Sequence, residues 1–461
     1  MKICVLGCGL RTPLLVHGLV TSGLPIDQIA LYDIDRSRSQ LMMEIGKQIG
    51  LGHPVEIARF PTPEEAIDGC AFAISSIRVG DMETRAADER LAVQCGFAGQ
   101  ETTGPAGFAM ALRTIPVALR YAKLVRKLAP SAWIINFTNP AGIVTQALTL
   151  HSGAKAVGIC DTPAELMHQI ARALDQPLDA VHCDYFGLNH LGWVRSVLVG
   201  GEEKIDRLLA DKELLRRIYP AELFSADFLA ALKLIPTEYV FFYYNQAVAS
   251  FNQQRAGVTR GEELDKMNRR VWTDLQTHIS TGNPTSALSA YRRYLNRRNA
   301  SYMHLEGAGT SAFSGPDPDW DPFEGATGYH RIAVECITAL TSKSPRPLIL
   351  NVRNHGCIDG LDSDDIVEVP CMVSETGPIP KPIGKVPESV RGLIIAVKYF
   401  ERLTVEAAVE GNWEKAAYAL TMNPIVGSWE PARHFLELLK SADKAHFSHF
   451  ENSGILKGKS D

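Results

Sequence analysis

The chain has 461 residues, of which 46% are hydrophobic and 21% charged, and its formal net charge is −5. One hydrophobic core rarely serves more than about 250–300 residues, so this length predicts two packed domains. The composition lacks the basic excess that binds nucleic acid, and no apolar run is long enough to span a membrane. We therefore expect neither nucleic acid nor membrane as a partner.

The start of the chain and its cysteines predict a cytoplasmic location. MKICVLGCGLR begins a strand at once, without the charged, apolar and small-residue order of a secretion signal. The nine cysteines are odd in number and form no CxxC pair. This usage is typical of reduced, mostly buried thiols.

The first third of the chain alternates predicted strands and helices, which indicates a parallel sheet. The strands are KICVLGCG (2–9), QIALYDID (28–35), FAISSI (72–77), AWIINFTNPAG (132–142) and AVGIC (156–160). The clearest helices are PLLVHGLVTSG (13–23) and PVALRYAKLVRKLAP (116–130). We expect an α/β fold whose residues 1–185 form a Rossmann-type, doubly wound domain like that of lactate and malate dehydrogenases.

The rest of the chain predicts a second, α+β domain over residues 186–461. A strand pattern at DYFGLNHLGWVRSVLV (184–199) precedes helical segments, the loop SGPDPDWDPFEG (314–325), a β-meander and two final helices. The helical segments lie at 204–218, 223–235, 260–279 and 287–298, the meander at 347–373 and the last helices within 390–422. The cleft between the two domains is the predicted ligand site.

A glycine turn follows the first predicted strand. Gly7 and Gly9 permit a tight turn and let a phosphate approach the backbone at the helix N-terminus. Asp33 ends the second strand, about where an acid binds ribose hydroxyls. The third glycine of the dinucleotide fingerprint is absent, so the pattern indicates either a nicotinamide dinucleotide site or only a tight turn.

Polar residues follow several predicted strands and together favour a ligand site. Each alone has a structural interpretation: a lone cysteine packs as a small hydrophobe, Asp before Thr-Pro caps a helix and Asn-Pro forms turns. Ligands of open α/β sheets, however, bind beyond the carboxyl ends of the strands. The residues that converge there are Arg78, Arg85, Glu101, Asn136, Asn139, Cys160, Asp161, Asn189 and His190.

Cys160 and His190 are suited to a divalent transition metal, because thiolate is a soft ligand and imidazole a borderline one. Two protein ligands leave several coordination positions for substrate oxygens and water. That arrangement is typical of a catalytic rather than a structural metal site.

Six sequence blocks are more specific than the glycine turn. They are GQETTGPAGFAMALRTIPV, INFTNPAG, VGICDTP, YFGLNH, NVRNHGCIDGLDSDDIVEVPC and AVKYFERLTVEAA. Together they resemble glycoside hydrolase family 4, and the similarity runs from residue 1 to about residue 435. The family comprises NAD- and manganese-dependent glycosidases whose usual substrates are 6-phospho-glucosides. The resemblance implies a hydrolase of carbohydrate metabolism that uses NAD and Mn2+ or another divalent transition metal.

The resemblance also implies roles for individual residues. Cys160 and His190 match the metal ligands, and the glycine turn with Asp33 matches the NAD site. Tyr239 in IPTEYVFFYY matches the catalytic base, and Glu101 matches the acid thought to raise the basicity of that tyrosine. The implied substrate-binding residues are Arg85, Asn139, Asn189 and Arg260.

The implied mechanism is an elimination, in contrast to the two-carboxylate scheme of most glycosidases. The sugar 3-hydroxyl is oxidised by NAD+, and the resulting ketone acidifies the hydrogen at C2. Tyr239 takes that proton, the enediolate is stabilised by the metal acting as a Lewis acid, and the glycosidic oxygen leaves. Water then adds and C3 is reduced by NADH. A metal-bound thiol is deprotonated, which accounts for Cys160.

Asp161 keeps two interpretations at this point. In the family, asparagine usually follows the cysteine in 6-phospho-β-glucosidases, whereas aspartate occurs in 6-phospho-α-glucosidases, where it can protonate the leaving group. CDTP fits neither pattern cleanly. Asp161 is therefore either a general acid or a helix cap.

Three positions depart from the family pattern. LRTP replaces a serine-rich stretch after the first glycines, Glu324 stands where an arginine is expected, and Phe241 also stands where arginine is common. The first two regions help to bind the sugar phosphate, so the need for a 6-phosphate stays open. Arg11 can supply the missing charge, since a guanidinium binds phosphate bidentately.

The expected function is hydrolysis of 6-phospho-glucosides, with a chain more like the 6-phospho-β-glucosidases. The alternatives are a 6-phospho-α-glucosidase, a family member acting on non-phosphorylated glycosides, a plain NAD-dependent sugar dehydrogenase and a sugar-dinucleotide sensor without turnover. The anomeric preference, the gluco or galacto configuration and the aglycone stay open. Apolar helices late in the chain and the family pattern predict a homodimer or homotetramer.

Overall fold

The computed structural model describes four ranges of the chain, namely residues 1–218, 223–306, 321–325 and 327–450. Most of the predicted loop SGPDPDWDPFEG lies outside the described residues. The strands are β1 (Lys2–Leu6), β2 (Gln28–Tyr32), β3 (Glu56–Arg59), β4 (Phe72–Ser75), β5 (Trp133–Asn136), β6 (Lys155–Gly158), β7 (Val181–Leu188), β8 (Leu191–Val199), β9 (Glu202–Glu203), β10 (Ile235–Pro236), β11 (Arg346–Arg353), β12 (Ile366–Ser374) and β13 (Gly377–Pro380).

The helices lie mainly on the faces of the sheets. In the first part they are α1 (Thr12–Thr21), α2 (Arg36–Ile49), α3 (Pro63–Ile67), α4 (Asp81–Gln94), α5 (Gly104–Leu128), α6 (Ala141–His151) and α7 (Thr162–Ala173). Later helices span Ile205–Ala210, Lys212–Arg216, Ala226–Leu232, Phe241–Tyr244, Gln246–Ala256, Arg260–Ser280, Pro284–Ala300, Tyr329–Leu340, Glu388–Glu410, Trp413–Met422 and Trp429–Ala442, and short 3-10 turns span Leu178–Ala180 and Glu238–Val240.

Six parallel strands form one part of a nine-stranded sheet, in the order β3-β2-β1-β4-β5-β6 with β3 at the edge. This is the strand order of the Rossmann fold, so the predicted fold class is confirmed. The strands are apolar on both faces because helices cover both sides; Ile3, Val5 and Ile74, for example, are fully buried.

The predicted meander forms β11 and β12. These strands do not belong to a separate domain sheet but extend the nine-stranded sheet. Strand β11 pairs antiparallel with β6, and β12 and β13 follow at the same edge. The division of the chain at residue 185 therefore stays a prediction, since segments from beyond it complete the N-terminal sheet.

The stretch expected as one strand over 184–199 is a hairpin. Strands β7 and β8 pair antiparallel up to Leu188 and Leu191, and Asn189 and His190 form the two-residue turn between them. Such tight hairpin turns need positive φ angles, and His190 adopts a φ of 62°. The turn therefore fixes the position of the imidazole.

The described residues include all nine cysteines, which are unpaired thiols. Seven of them are buried, as expected for small core residues. In the ranges that the structure describes, no helix combines the length and the apolar character needed to cross a bilayer.

Gly7 has a backbone conformation and a close contact that only glycine allows in the turn after β1. Its φ is 94°, and an added Cβ would lie 2.6 Å from the carbonyl oxygen of Ser76. Strain of this kind costs about 1–3 kcal/mol before the clash is counted, so we expect Gly7→Ala to lower the melting temperature clearly in a thermal scan. Gly9→Ala is the matched control, because its Cβ would meet no atom within 4 Å; equal melting temperatures for both variants would contradict this account.

Candidate active site

The carboxyl ends of the parallel strands open into a cleft with two neighbouring cavities of about 770 and 650 Å3. Arg11, Arg85, Asn139 and Arg298 line both cavities. The shared lining makes the two cavities direct neighbours.

The smaller cavity begins at the glycine turn. Gly7, Gly9 and Asp33 all line it, as predicted for a dinucleotide site. The Asp33 carboxylate accepts hydrogen bonds from the backbone N–H of Cys8 at 2.7 Å and of Asp35 at 2.8 Å. Each carboxylate oxygen keeps a further acceptor position, which can serve ribose hydroxyls. There is open space beside Gly9, because a Cβ added there would meet no atom within 4 Å. This space allows a pyrophosphate to approach the backbone closely.

Cys160 lies between β6 and α7 and is buried. Burial raises the pKa of its thiol well above the ordinary value, and the nearby charges of Glu368 and Asp161 add to this effect. The thiol of Cys160 is therefore neutral in the chain alone, and a nearby positive charge is needed to deprotonate it.

His190 lies in the hairpin turn and is buried. Its Nδ1 atom lies 2.7 Å from the hydroxyl of Thr102, and its ring stacks on Tyr239 with 3.8 Å between the ring centroids. Burial lowers the pKa of His190 to about 3. The imidazole is therefore neutral at physiological pH, the form that binds metals.

Tyr239 lines the larger cavity, and its hydroxyl accepts a 2.6 Å hydrogen bond from the hydroxyl of Tyr302. Burial raises the pKa of Tyr239 well above 10, and the charge of Glu238 raises it further. Cys160 and Glu101 also lie close enough for their charges to raise this pKa. The phenol thus needs an added positive charge before it can act as a base.

Glu101 joins two arginines of the cleft. It pairs with Arg78 and lies 2.8 Å from the guanidinium of Arg85, which also donates a 2.7 Å bond to Glu89. Although burial opposes ionisation, the arginines hold the pKa of Glu101 well below its ordinary range. Glu101 is therefore a fixed negative charge that orients Arg85.

The four predicted substrate-binding residues do not share one environment. Arg85, Asn139 and Arg260 line the larger cavity, and Arg260 is positioned by bonds of 2.8 Å to Ser301 and to the carbonyl of Arg298. Asn189 differs, because its amide donates to Glu368 at 3.0 Å and accepts from the backbone N–H of Gly142 at 3.3 Å. This side chain braces the hairpin, and the role of Asn189 in substrate binding stays a prediction.

Asp161 occupies the N-cap position of α7, but its side chain makes no capping hydrogen bond. The helix-cap interpretation therefore does not explain the carboxylate. The side chain lines the cavity, and burial raises its pKa against the lowering effect of Arg11. Arg11 stacks on Tyr329, with its guanidinium carbon 3.2 Å from the ring centroid.

Sequence reasoning missed three residues of the site. Glu238 accepts a hydrogen bond from Thr162 at 3.0 Å and lies 3.3 Å from the hydroxyl of Tyr302. Thr102 contacts His190. Glu238 stands directly before Tyr239 and Thr102 lies in GQETTGPAG, so both stand inside segments that the sequence had marked. Tyr302 comes from a region without any such signal.

A divalent transition metal fits the donors at this site. In the described part of the chain, no three His, Cys, Asp or Glu side chains are grouped to hold a metal. Cys160 and the neutral His190 are of the ligand types that such a metal takes, and both lie close to Tyr239, so the two-ligand site stays a prediction that these residues fit.

The strand order, the glycine turn and the cleft define a Rossmann-type α/β protein. Family models identify it further: the model described as family 4 glycosyl hydrolase matches residues 2–176, and that of the family 4 glycosyl hydrolase C-terminal domain matches residues 185–426. The chain belongs to family 4 of the glycosyl hydrolases, which confirms the resemblance seen in the sequence.

Individual relatives cover nearly the whole chain. A probable 6-phospho-beta-glucosidase of Bacillus subtilis is 32% identical, with 98% of each chain covered. The structure of the 6-phospho-beta glucosidase from Thermotoga maritima with manganese, NAD+ and glucose-6-phosphate is similar with a TM-score of 0.79, 26% identity and coverage of 97% and 99%. The structure of a 6-phospho-alpha-glucosidase from gut microorganisms, in complex with NAD and glucose-6-phosphate, is similar with a TM-score of 0.80 and 26% identity. The match covers 97% of this chain and 98% of that chain.

Glu238 gives the site a measurable pH dependence. Burial raises the pKa of its carboxyl from 4.5 to about 7, so the folded chain binds this proton more tightly than the unfolded chain. The stabilisation is complete below pH 4.5 and is lost as the pH rises to 7, by up to about 3 kcal/mol. We expect the melting temperature of Glu238→Gln to fall less than that of the parent between pH 5 and 8.

The matched control is Glu165→Gln, which changes a half-exposed carboxylate in the same cavity. Its melting temperature should follow the parent curve across the pH series. A Glu238→Gln curve parallel to the parent curve would contradict the assigned pKa.

Proposed function

We propose that the protein hydrolyses 6-phospho-glucosides, most closely as a 6-phospho-β-glucosidase, with NAD and Mn2+ or another divalent transition metal as cofactors. The observation that carries this proposal is that His190 and Cys160 both lie close to Tyr239: the ring of His190 stacks on Tyr239, the charge of Cys160 raises its pKa, and Tyr239 lines the larger cavity. The stacked rings of His190 and Tyr239 place a metal-binding type of side chain directly beside a hydroxyl that can accept a proton.

The relatives support the same assignment. The Bacillus subtilis relative carries the name of a probable 6-phospho-beta-glucosidase, and the Thermotoga maritima structure holds manganese, NAD+ and glucose-6-phosphate. Both are similar to this chain over nearly its full length. A plain sugar dehydrogenase receives no comparable support.

The cofactors supply two kinds of chemistry when they are bound: reversible hydride transfer at the sugar C3, and Lewis-acid stabilisation of negative charge at the C2 and C3 oxygens. Cys160 and His190 would hold the cation, while Gly7, Gly9 and Asp33 would hold the dinucleotide. The side chains of the cleft carry out the proton transfers and orient the sugar.

Tyr239 takes the proton from the sugar C2 at its hydroxyl oxygen. The hydroxyl of Tyr302 donates to this oxygen at 2.6 Å and so stabilises the phenolate that must form first. Glu101 contributes through its negative charge, which makes the phenolate of Tyr239 more basic, and through its ion pair with Arg85. Arg85, Asn139 and Arg260 orient the sugar at the cavity wall.

Asp161 protonates the leaving oxygen in this proposal. Its side chain is free of the capping role, lines the cavity and has a raised pKa, all of which suit a general acid. The same observation favours a second candidate function, a 6-phospho-α-glucosidase, because an acid at this position occurs in that branch. A structure of that type is as similar to this chain as the β-type structure.

Arg11 is the residue we assign to the sugar phosphate. Its guanidinium faces the cleft from the glycine turn and is fixed on the ring of Tyr329. We also propose that residues 1–185 form the dinucleotide-binding domain and that residues 186–461 form an α+β domain, which adds His190, Tyr239 and Arg260 to the substrate and metal side of the cleft. The assembly would be a homodimer or homotetramer that acts in the cytoplasm.

Substrate class is tested with paired α- and β-nitrophenyl glucosides, each with and without a 6-phosphate, in the presence of Mn2+ and NAD+. We expect the 6-phospho-β-glucoside to be turned over fastest and NADH not to accumulate. Galactose-configured pairs complete the set. Stoichiometric NADH production without release of nitrophenol would show a dehydrogenase instead.

Tyr239→Phe should stop the exchange of the sugar C2 hydrogen with deuterated water, because the proton acceptor is removed. We expect a decrease of at least about 100-fold, measured by NMR of the sugar. Tyr243→Phe, which changes a neighbouring tyrosine that does not line the described cavity, is the control. Unimpaired exchange in Tyr239→Phe would refute its assignment as the base.

Asp161→Asn should slow substrates with poor leaving groups by about 100-fold and activated aryl glycosides much less, because only a poor leaving group needs protonation. The measurement is kcat for a series of aglycones of increasing pKa. Glu165→Gln, one turn further along α7, controls for loss of charge in the cavity. An equal effect on all aglycones would argue against a general acid.

A further inference from the structure

The side-chain amide of Gln100 has a defined orientation. Its Oε1 atom accepts hydrogen bonds from the backbone N–H groups of Thr102 at 2.6 Å and Thr103 at 2.8 Å. Backbone N–H groups donate and cannot accept, so the atom that faces them is the carbonyl oxygen and not the amide nitrogen. Gln100 therefore presents a pure acceptor to the loop before α5.

The hydroxyl of Thr102 lies between this acceptor and the imidazole. Its oxygen is 2.9 Å from Gln100 Oε1 and 2.7 Å from His190 Nδ1. A threonine hydroxyl has one proton and two lone pairs. The contact between the two oxygens is attractive only when that proton points to Gln100, so the hydroxyl offers a lone pair to the ring. Nδ1 must then carry the proton of the neutral imidazole.

We propose that Gln100 and Thr102 hold His190 in the tautomer with the proton on Nδ1, which leaves the lone pair of Nε2 free for a metal ion. The opposite tautomer would place an N–H group at Nε2 and prevent metal binding. Metal-binding histidines usually donate their second ring N–H to a carboxylate, a carbonyl or water. Here the acceptor is a hydroxyl whose own proton is fixed by an amide.

Both sides of this contact are fixed by the fold. An added Cβ at Gly107 would lie 2.3 Å from the carbonyl carbon of Thr102, so the glycine allows the first turn of α5 to pack directly on the threonine. On the other side, the two-residue turn between β7 and β8 fixes His190. Thr102 is thus a positioning residue that acts through His190.

This inference rests on the proposed function in one respect, the assignment of His190 as a metal ligand, and its first test is independent of metal. The metal-free protein is labelled with 15N at histidine, and the signals of His190 are identified by their loss in His190→Gln. We expect the 15N shift of a protonated nitrogen at Nδ1 and of an unprotonated nitrogen at Nε2. The opposite assignment in the parent protein would overturn the proposal without the need for any loop variant.

The second test compares Mn2+ affinity by calorimetric titration. Loss of such a partner weakens metal binding by about 10–100-fold, which we expect for Thr102→Val, whereas Thr102→Ser keeps the hydroxyl and should bind near the parent value. The matched control is Thr103→Val: its hydroxyl also donates to Gln100, at 3.2 Å, but the contact with His190 belongs to Thr102. Parent-like affinity in Thr102→Val, or an equal loss in Thr103→Val, would overturn the proposal.

Cys160→Ser separates this inference from the function on which it rests. If Cys160→Ser binds Mn2+ as tightly as the parent, the proposed metal site fails, whatever the tautomer of His190. If Cys160→Ser loses affinity while Thr102→Val does not, the metal site stands and the role of Thr102 is overturned.

Discussion

The site depends on one constraint, the parallel alignment of β1, β4, β5 and β6, which places their carboxyl ends at one edge of the sheet. A residue or turn of the cleft follows the end of each strand within a few positions. The glycine turn follows β1, Arg78 follows β4, Asn139 follows β5 and Cys160 follows β6. A change of register in any of these strands would move one part relative to the others, so the chemistry of the site is tied to the pairing of the sheet.

Burial determines the charge state of the residues gathered there. It raises the pKa values of Cys160, Tyr239 and Glu238 and lowers that of His190, so these groups favour their neutral forms. Glu101 is the exception, because arginines compensate its charge. In the proposed mechanism a phenol and a thiol ionise here, and a bound cation would supply the positive charge that favours their ionised forms.

The sequence predicted the sheet and most of the strand-end residues because both follow from local patterns. Apolar runs indicate buried strands, and the rule that ligands bind at their carboxyl ends marked Cys160 and Asn139 without any knowledge of contacts. Contacts between distant segments could not be predicted in this way. Tyr302 meets Tyr239 across 63 residues, and Asn189 turns out to brace the hairpin, because side-chain partners depend on packing that periodicity does not encode.

The loop from Gln100 to Thr103 contacts two different parts of the site, the guanidinium of Arg85 and the imidazole of His190. Glu101 pairs with Arg85, while its neighbour Gln100 accepts a hydrogen bond from the hydroxyl of Thr102, which contacts the imidazole of His190. Because these residues are adjacent in the chain, a shift of the loop would change the arginine and the imidazole together. One short segment therefore positions both the charge of Glu101, which raises the pKa of Tyr239, and the hydroxyl that contacts the imidazole of His190.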